Sequence, residues 1–170
     1  MREAKEYSFK SQGELWALLF ILPFLAIISY ATFKLINHPL VLLLVMSIPG
    51  YILYLQYHTT RIVFQYSKYD KGKKILISAD RLSLTMMQND ITTVIHYEDV
   101  DKVEIYESEN LGKFGGYRYI IICTNDQRKI LITSFTIPLL MYDKGLEYFL
   151  RKKKRVYFKK RFNYIDVDKI

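Results

Sequence analysis

The first sixty residues contain two long runs without a charged side chain. Nineteen residues separate Glu14 from Lys34 and 26 separate Lys34 from Arg61, and none of them is Asp, Glu, Lys or Arg. A helix as long as the first run spans about 28 Å, close to the roughly 30 Å hydrocarbon core of a bilayer. Eleven of its residues are Leu, Ile or Phe, and these favour insertion by roughly 3–7 kcal/mol. The runs predict a transmembrane hairpin with helices over 15–33 and 40–57 and a short external turn over 34–39.

Three other interpretations of these runs are considered. A cleaved signal peptide is favoured by the small residues of Ser29-Tyr30-Ala31, but the apolar core of a signal is normally only about 7–15 residues long. A buried hairpin of a soluble protein is the second alternative, and the broken helices of a transporter, suggested by Pro23 and Pro49, are the third. Two helices without a charged residue cannot by themselves enclose a pathway. A second long run after a short turn favours a membrane hairpin.

The basic residues around the two runs predict the orientation. Lys34 stands alone in the connection, whereas the other flanks are richer in Lys and Arg: Arg2, Lys5 and Lys10 before the first run, and Arg61, Lys68, Lys71, Lys73 and Lys74 after the second. Cytoplasmic flanks carry the excess of basic residues. We therefore expect a multi-pass protein of the cell inner (cytoplasmic) membrane with both termini cytoplasmic, including an N-terminal segment over 1–14.

After Thr59 the pattern changes to short alternating runs separated by turn residues, which is typical of antiparallel strands. Strands are predicted near 61–66, 74–78, 82–87, 91–96, 102–106, 117–123 and 129–133. Leu139, Tyr142, Leu146, Phe149 and Leu150 then recur at spacings of three and four, which predicts an amphipathic helix. The expected fold is a membrane α-helical hairpin followed by a mainly β domain over 61–155, a seven-stranded sandwich or partly open barrel with a C-terminal helix.

Seven strands and one C-terminal helix is the arrangement of pleckstrin-homology (PH) domains. The run from Ile95 to Ile105, IHYEDVDKVEI, resembles a segment of the bacterial PH-like families, and the run from Lys129 to Phe135, KILITSF, is also similar to theirs. In those families a PH-like domain commonly follows a pair of transmembrane helices, and many members have no assigned function. The resemblance implies the fold more than an activity.

A strongly basic segment follows the predicted helix. It has eight basic residues in eleven positions, and removing their charge changes the net charge of residues 61–170 from +7 to −1. Such clusters bind anionic headgroups of the cytoplasmic leaflet, and aromatic side chains can lie at the interface. The predicted lipid-binding residues are Arg151, Lys152, Lys153, Lys154, Arg155, Tyr157, Phe158, Lys159, Lys160 and Arg161. The alternatives are a solvated basic helix end and tail over 151–170, or a protein partner; nucleic acid is not expected, because no recognition motif accompanies the charge.

No residue pattern indicates catalysis, a cofactor or a metal. His96 lies near Glu98 and Asp99 without two further ligands, and Cys123 lies in an apolar strand, where a thiol behaves as a small hydrophobe. The glycine-rich run Leu111–Gly116 lacks the Lys-Ser/Thr ending of a phosphate loop and precedes a strand. We therefore do not expect an enzyme.

Two functions follow as hypotheses. The first is a noncatalytic PH-like module, anchored at the cytoplasmic face, that binds a partner protein, anionic lipid or both. The second is a small architectural subunit of a larger membrane complex, because Ser29, Thr32, Ser47 and Gly50 permit close helix contacts. A partner protein or a homo-oligomer is expected in either case.

Overall fold

The computed structural model of the chain describes residues 4–9, 21–35, 37–109, 116–137 and 143–169. The chain divides into two compact units. One is Gln12–Phe64, called here the helical unit, and the other combines Met1–Ser11 with Gln65–Ile170 and is called the β unit. The β unit is therefore discontinuous in sequence, which differs from the contiguous domain expected over 61–155.

Two helices account for the described part of the helical unit. Helix α1 is Ile21–Leu35 and helix α2 is Pro39–Asp70, whose last residues belong to the β unit. Among the described residues, α2 is the one helix that is long and apolar enough, by length and composition, to cross a membrane, and the apolar helix Leu22–Leu35 is shorter. The predicted first span lies partly outside the described residues, since 15–20 are not among them. The predicted second span, 40–57, lies within α2, which continues for more than three further turns.

The described residues of the β unit form two four-stranded sheets. The first sheet has the order β1-β2-β3-β4 and the second has the order β7-β6-β5-β8. The strands are β1 Lys5–Ser8, β2 Lys74–Ile77, β3 Ser83–Gln88, β4 Ile91–His96, β5 Val100–Ser108, β6 Tyr119–Thr124, β7 Lys129–Thr133 and β8 Lys154–Lys160. All neighbours are antiparallel except β5 and β8, which are parallel. Short 3-10 helices occupy Tyr97–Asp99 and Val167–Lys169.

One apolar core lies between the two sheets. Alternate residues of each strand face inward, as the two-residue period of a strand requires. Helix α3, Lys144–Phe149, contributes Leu146 and Phe149 to the same core. A mainly β sandwich of two sheets with a C-terminal helix is therefore confirmed. The strand contribution to the core is Tyr7, Ile75, Ile77, Leu84, Ile95, Val100, Val103, Ile105, Ile120, Ile122, Ile130 and Ile132.

Strand β1 brings the N-terminal segment into the first sheet. It pairs with β2 so that Lys5 lies opposite Ile77 and Ser8 opposite Lys74. In the sequence, α1 and α2 therefore lie between β1 and β2, which are hydrogen-bonded neighbours in one sheet. Strand β1 could not be predicted from the sequence, because four residues with one buried side chain, Tyr7, give almost no periodic signal.

Asp143 connects β1 to the start of α3. Its carboxylate caps the helix by accepting hydrogen bonds from the amides of Gly145 and Leu146, at 2.9 and 3.0 Å. It also accepts hydrogen bonds from the ammonium of Lys5, at 2.6 Å, and from the hydroxyl of Tyr7. Burial opposes ionisation of this carboxyl, but these hydrogen bonds outweigh it and lower the pKa of Asp143. The carboxylate therefore stabilises the β unit at neutral pH.

The last turn of α2 is tied to the second sheet by a buried ion pair. Asp70 and Lys73 are fully or almost fully buried and lie 2.8 Å apart. The second oxygen of Asp70 accepts hydrogen bonds from the hydroxyls of Thr133, at 2.6 Å, and Thr136, at 2.5 Å. Lys73 donates to the carbonyl of Leu131 at 3.0 Å. Every one of these polar groups has a partner, which is the condition for burying charge.

Three predicted elements differ from the structure. Residues 61–66 were expected as a strand and are helical, because the buried side chains Ile62, Val63, Tyr66, Ser67 and Asp70 follow the three-to-four residue spacing of a helix. The helix that was expected from the spacing of Leu139, Tyr142, Leu146, Phe149 and Leu150 begins at Lys144, after the extended N-cap Asp143, and ends at Phe149; residues 138–142 lie outside the described residues.

The third difference is the basic segment, which was expected as a helix end and tail. Helix α3 ends at Phe149 with Leu150 as its C-cap, Lys152 in the following turn adopts a left-handed backbone with φ of 66°, and the chain continues as β8 from Lys154. Val156, Tyr157 and Phe158 at the centre of the segment favour a strand. Residues 154–160 of the basic segment therefore form an edge strand of the second sheet.

Replacing Asp70 with alanine is expected to destabilise the β unit by roughly 3–5 kcal/mol, because the Lys73 ammonium would stay buried without its counter-charge. The measurement is thermal unfolding of the full-length protein in detergent, followed by circular dichroism. Asp101→Ala, an exposed carboxylate on β5, is the matched control. The double variant Asp70→Leu, Lys73→Met should recover part of the loss; an Asp70→Ala protein as stable as the control would contradict the role of the pair.

Gly145→Ala should lower stability although alanine normally favours a helix. A Cβ at this position would lie 2.9 Å from the Tyr7 hydroxyl and 3.1 Å from the Asp143 carboxylate, and such overpacking costs about 1–3 kcal/mol. A double-mutant cycle with Tyr7→Phe, which removes the hydroxyl, measures the coupling. The alanine should cost less in the Tyr7→Phe background; equal costs in both backgrounds would rule out this contact as the cause.

Candidate functional site

The basic segment is divided between the two faces of β8. Along the strand Lys154, Arg155, Tyr157 and Lys159 are exposed, whereas Val156, Phe158 and Lys160 are half-buried. Pairing with β5 identifies the two faces: Arg155, Tyr157 and Lys159 lie on the face of the buried Ile105, and Lys154, Val156, Phe158 and Lys160 lie on the opposite face, that of Tyr106. The residues of the basic segment are contiguous in sequence, but the side chains of β8 lie on two opposite faces of the sheet.

Several predicted lipid-binding residues pack against aromatic rings. Phe158 stacks on Tyr106 with centroids 4.7 Å apart, and the Lys160 ammonium lies 5.6 Å from the centre of the Tyr106 ring. Lys160 also lies 3.6 Å from the Asp166 carboxylate, and the Arg161 guanidinium lies 5.6 Å from the Phe162 ring. The ring of Phe158 therefore takes part in sheet packing.

The other end of the segment borders an open cleft, which we call the basic cleft. It is lined by Arg81, Lys144, Glu147, Tyr148, Arg151 and Arg155, and its volume is about 580 Å³. Four of these six side chains are cationic and one is a carboxylate. The lining comes from three places in the chain: the turn between β2 and β3, helix α3, and the segment that leads into β8. An adjoining cleft of about 320 Å³ shares Arg81, Tyr148 and Arg151 and is also lined by Lys152.

Arg81 is held in the cleft by a compact turn. Its backbone is left-handed, with φ of 61°, and its amide donates to the carbonyl of Ser78 at 2.9 Å. The carboxylate of Asp80 accepts hydrogen bonds from the Leu82 amide, at 3.0 Å, and from the Ser78 hydroxyl. The hydrogen bond from the Leu82 amide is the larger cause that lowers the pKa of Asp80. The turn is thus closed by its own side chains, and Arg81 projects from it.

Two arginines of the basic cleft lie close to the ring of Tyr148. The Arg81 guanidinium lies 4.4 Å from the centre of this ring and the Arg151 guanidinium lies 5.4 Å from it. Attraction between a cation and an aromatic face is worth about 0.5–1 kcal/mol at exposed sites. Beside them, Lys153 lies 4.2 Å from the Tyr97 ring, and the Tyr97 hydroxyl donates to the Arg151 carbonyl at 2.7 Å. The rings offset the repulsion between neighbouring cations.

The structure therefore brings Arg151 and Arg155 into the cleft, and it adds three residues that the sequence analysis missed. Arg81, Lys144 and Tyr148 lie outside the basic segment, and Arg81 is 70 positions before Arg151 in the chain. In the sequence, Ala79-Asp80-Arg81 is typical of a turn and gives no indication of a site. Only the folding of β2 and β3 next to α3 places Arg81 there.

The other candidates give no site in the described residues. No group of three His, Cys, Asp or Glu side chains that could hold a metal occurs in the part of the chain that the structure describes. Cys123 is buried, and burial raises the pKa of its thiol. In the glycine-rich run, residues 111–115 lie outside the described residues.

The model of a family described as a PH domain matches residues 2–147. The match covers most of the chain, so the chain belongs to this PH-domain family. It includes β1 and the inserted helices as well as β2 to β7, and it stops before Arg151. No curated protein and no solved structure matches the chain. PH domains are in general noncatalytic modules that bind lipid or protein, and this class fits the described sandwich and cleft.

Proposed function

We propose that this chain is a noncatalytic PH module anchored in the cell inner membrane by α1 and α2, with both termini cytoplasmic. The module binds anionic lipid headgroups through the exposed cations of the basic segment. The observation that carries the anchoring proposal is the insertion of the two helices between paired strands.

Strand pairing limits how the inserted helices can cross a membrane. Lys5–Ser8 and Lys74–Ile77 are hydrogen-bonded neighbours, and the amide of Phe9 donates to the carbonyl of Lys73 at 3.1 Å. The end of β1 and the start of β2 are therefore adjacent, so both must lie on the same side of any membrane that the helices cross. An even number of crossings between residues 9 and 73 is required. If α2 crosses, a second crossing must precede it, and α1 is the apolar helix available for it.

The surface of α2 supports a lipid environment. Leu40, Leu43 and Leu44 have 84%, 72% and 72% of their surface exposed. Contiguous exposed apolar surface of this kind is unfavourable in water and is typical of a membrane or protein contact. The basic residues that flank the insertion favour a cytoplasmic β unit.

The exposed cations of β8 support contact with anionic lipid. Each Lys or Arg close to an anionic surface gains about 1 kcal/mol. Lys154 and Lys159 are exposed and belong to no ion pair among the described residues. A tethered domain also has a high effective concentration at the bilayer, so that even weak contacts are populated.

Cysteine labelling tests the orientation. In a Cys123→Ala background, His38→Cys, between the helices, should react with a membrane-impermeant maleimide in intact spheroplasts, because it lies outside. Lys154→Cys on β8 should react only after permeabilisation. The two variants control for each other, since both positions are exposed. Labelling of Lys154→Cys in intact spheroplasts, or of neither variant before permeabilisation, would contradict the proposed topology.

Hydrogen–deuterium exchange of the full-length protein in nanodiscs tests the lipid contact. Amides of 151–161 should exchange more slowly in discs that contain phosphatidylglycerol than in discs of phosphatidylcholine alone, and salt should reverse the difference. Lys154→Gln, Lys159→Gln should abolish it. The matched control is Arg128→Gln, Lys129→Gln, which removes two charges at the β6–β7 turn. Equal exchange in both kinds of disc would remove lipid contact from the proposal and favour a protein partner.

A further inference from the structure

The basic cleft concentrates positive charge that the described residues do not neutralise. Lys5, Lys73, Lys102, Arg128 and Lys160 each pair with a carboxylate within 4 Å. By contrast, none of the four cations of the cleft, Arg81, Lys144, Arg151 and Arg155, forms such a pair in the described ranges. Glu147 is the one carboxylate on the described lining. The lining therefore has a formal excess of three positive charges.

The cations are also arranged before any ligand arrives. Arg81 projects from a turn closed by Asp80 and Ser78 and rests on Tyr148. Arg151 lies near the same ring, with Nη1 3.5 Å from the Tyr148 hydroxyl, and its carbonyl is bound by Tyr97. A guanidinium held in this way loses little side-chain entropy when it binds an oxyanion. Two of the four cations of the cleft, Arg81 and Arg151, are thus positioned by contacts with Tyr148, and Lys144 and Arg155 are exposed beside them.

We propose that the basic cleft binds a phosphate monoester. Guanidinium groups match the geometry of phosphate oxygens and form paired, charge-assisted hydrogen bonds with them. A monoester has three terminal oxygens and carries close to two negative charges at pH 7, as a phosphorylated side chain does. A phosphodiester has two such oxygens and one charge, so it gains less from four converging cations. The volume of the cleft exceeds that of one phosphate group and leaves room for the group that bears it.

The phosphate has two possible sources with the same chemistry. One is a lipid headgroup that ends in a monoester, such as phosphatidic acid, and the other is a small phosphorylated molecule in solution. The inference rests on the proposed function only for the lipid source. Arg81 separates the two proposals experimentally, because it belongs to the cleft and not to the basic segment.

Calorimetric titration of the full-length protein in neutral detergent is the first measurement, with glycerol 3-phosphate as the monoester and dimethyl phosphate as the diester. Glycerol 3-phosphate should bind, and dimethyl phosphate should bind at least several-fold more weakly. Arg81→Gln and Arg151→Gln should each weaken binding of the monoester by roughly tenfold or more, as expected for loss of a charge-assisted hydrogen bond. Lys129→Gln, which removes one exposed charge elsewhere, should leave it unchanged. Thermal unfolding verifies that each variant is folded.

Nanodiscs that contain phosphatidic acid or phosphatidylglycerol identify the source, with protection of residues 78–83 from hydrogen exchange as the readout. Protection by phosphatidic acid that is lost in Arg81→Gln assigns a lipid headgroup, whereas binding of glycerol 3-phosphate without such protection assigns a soluble ligand.

The proposal is overturned if neither probe binds, if the diester binds as well as the monoester, or if Lys129→Gln weakens binding as much as Arg81→Gln. If glycerol 3-phosphate binds but phosphatidylglycerol does not slow hydrogen exchange of residues 151–161, the phosphate site in the basic cleft is supported. Only the proposed contact of β8 with anionic lipid is then contradicted.

Discussion

The buried pair of Asp70 and Lys73 is the interaction on which the connection between helix and sandwich depends. An isolated charge in this interior would cost several kcal/mol, and the pair is tolerated because the Asp70 carboxylate accepts three hydrogen bonds and the Lys73 ammonium donates two. Its partners, Thr133, Thr136 and the Leu131 carbonyl, come from β7 and the turn after it. The end of α2 is therefore specified by polar contacts as well as by packing. Apolar side chains in the same place would permit several similar positions of the last turn, whereas a carboxylate with three donors permits few.

Aromatic side chains on the outer face of the second sheet continue this connection. Tyr106 stacks on both Tyr119 and Phe158, with centroids 4.4 and 4.7 Å apart, so one row of rings crosses β6, β5 and β8. Tyr66, at the end of α2, lies edge-on to Tyr119 at 6.2 Å. Its hydroxyl donates to the carbonyl of Asn163 at 3.0 Å and accepts from the side-chain amide of the same residue at 3.2 Å. The C-terminal residues are thus structural, and the basic strand is attached to the sheet by backbone pairing with β5, by the stacking of Phe158 on Tyr106 and by the contacts of Lys160 with Tyr106 and Asp166.

The sequence predicted those parts of the fold whose information is local. Strands β2 to β7 are short runs rich in apolar and β-branched residues, and four of the five connections between them contain residues that favour turns, so their existence could be predicted from the sequence. Residues 61–66 were misjudged because Ile62, Val63, Phe64 and Tyr66 have high strand propensity, while the evidence for a helix was the spacing of buried residues that become visible only in the fold. Strand β8 was misjudged for a related reason. Its charges suggested solvation, but parallel pairing with β5 gives a strand without requiring an apolar face at an exposed sheet edge.

For the basic cleft, too, the sequence predicted only the residues whose signal is local. Counting charge along the chain found Arg151 and Arg155, because they lie within a charged run, but it could not find Arg81, whose neighbours in sequence are Asp80 and Leu82. The β1–β2 pairing explains how such a site can coexist with the inserted helices. Closing a longer loop costs only about 0.6 kcal/mol for each doubling of its length, so a large insertion between neighbouring strands leaves the rest of the sandwich intact. The insertion replaces the β1–β2 connection, while the cleft is built from the β2–β3 turn, α3 and the start of β8. The insertion and the basic cleft therefore use different connections of the same fold.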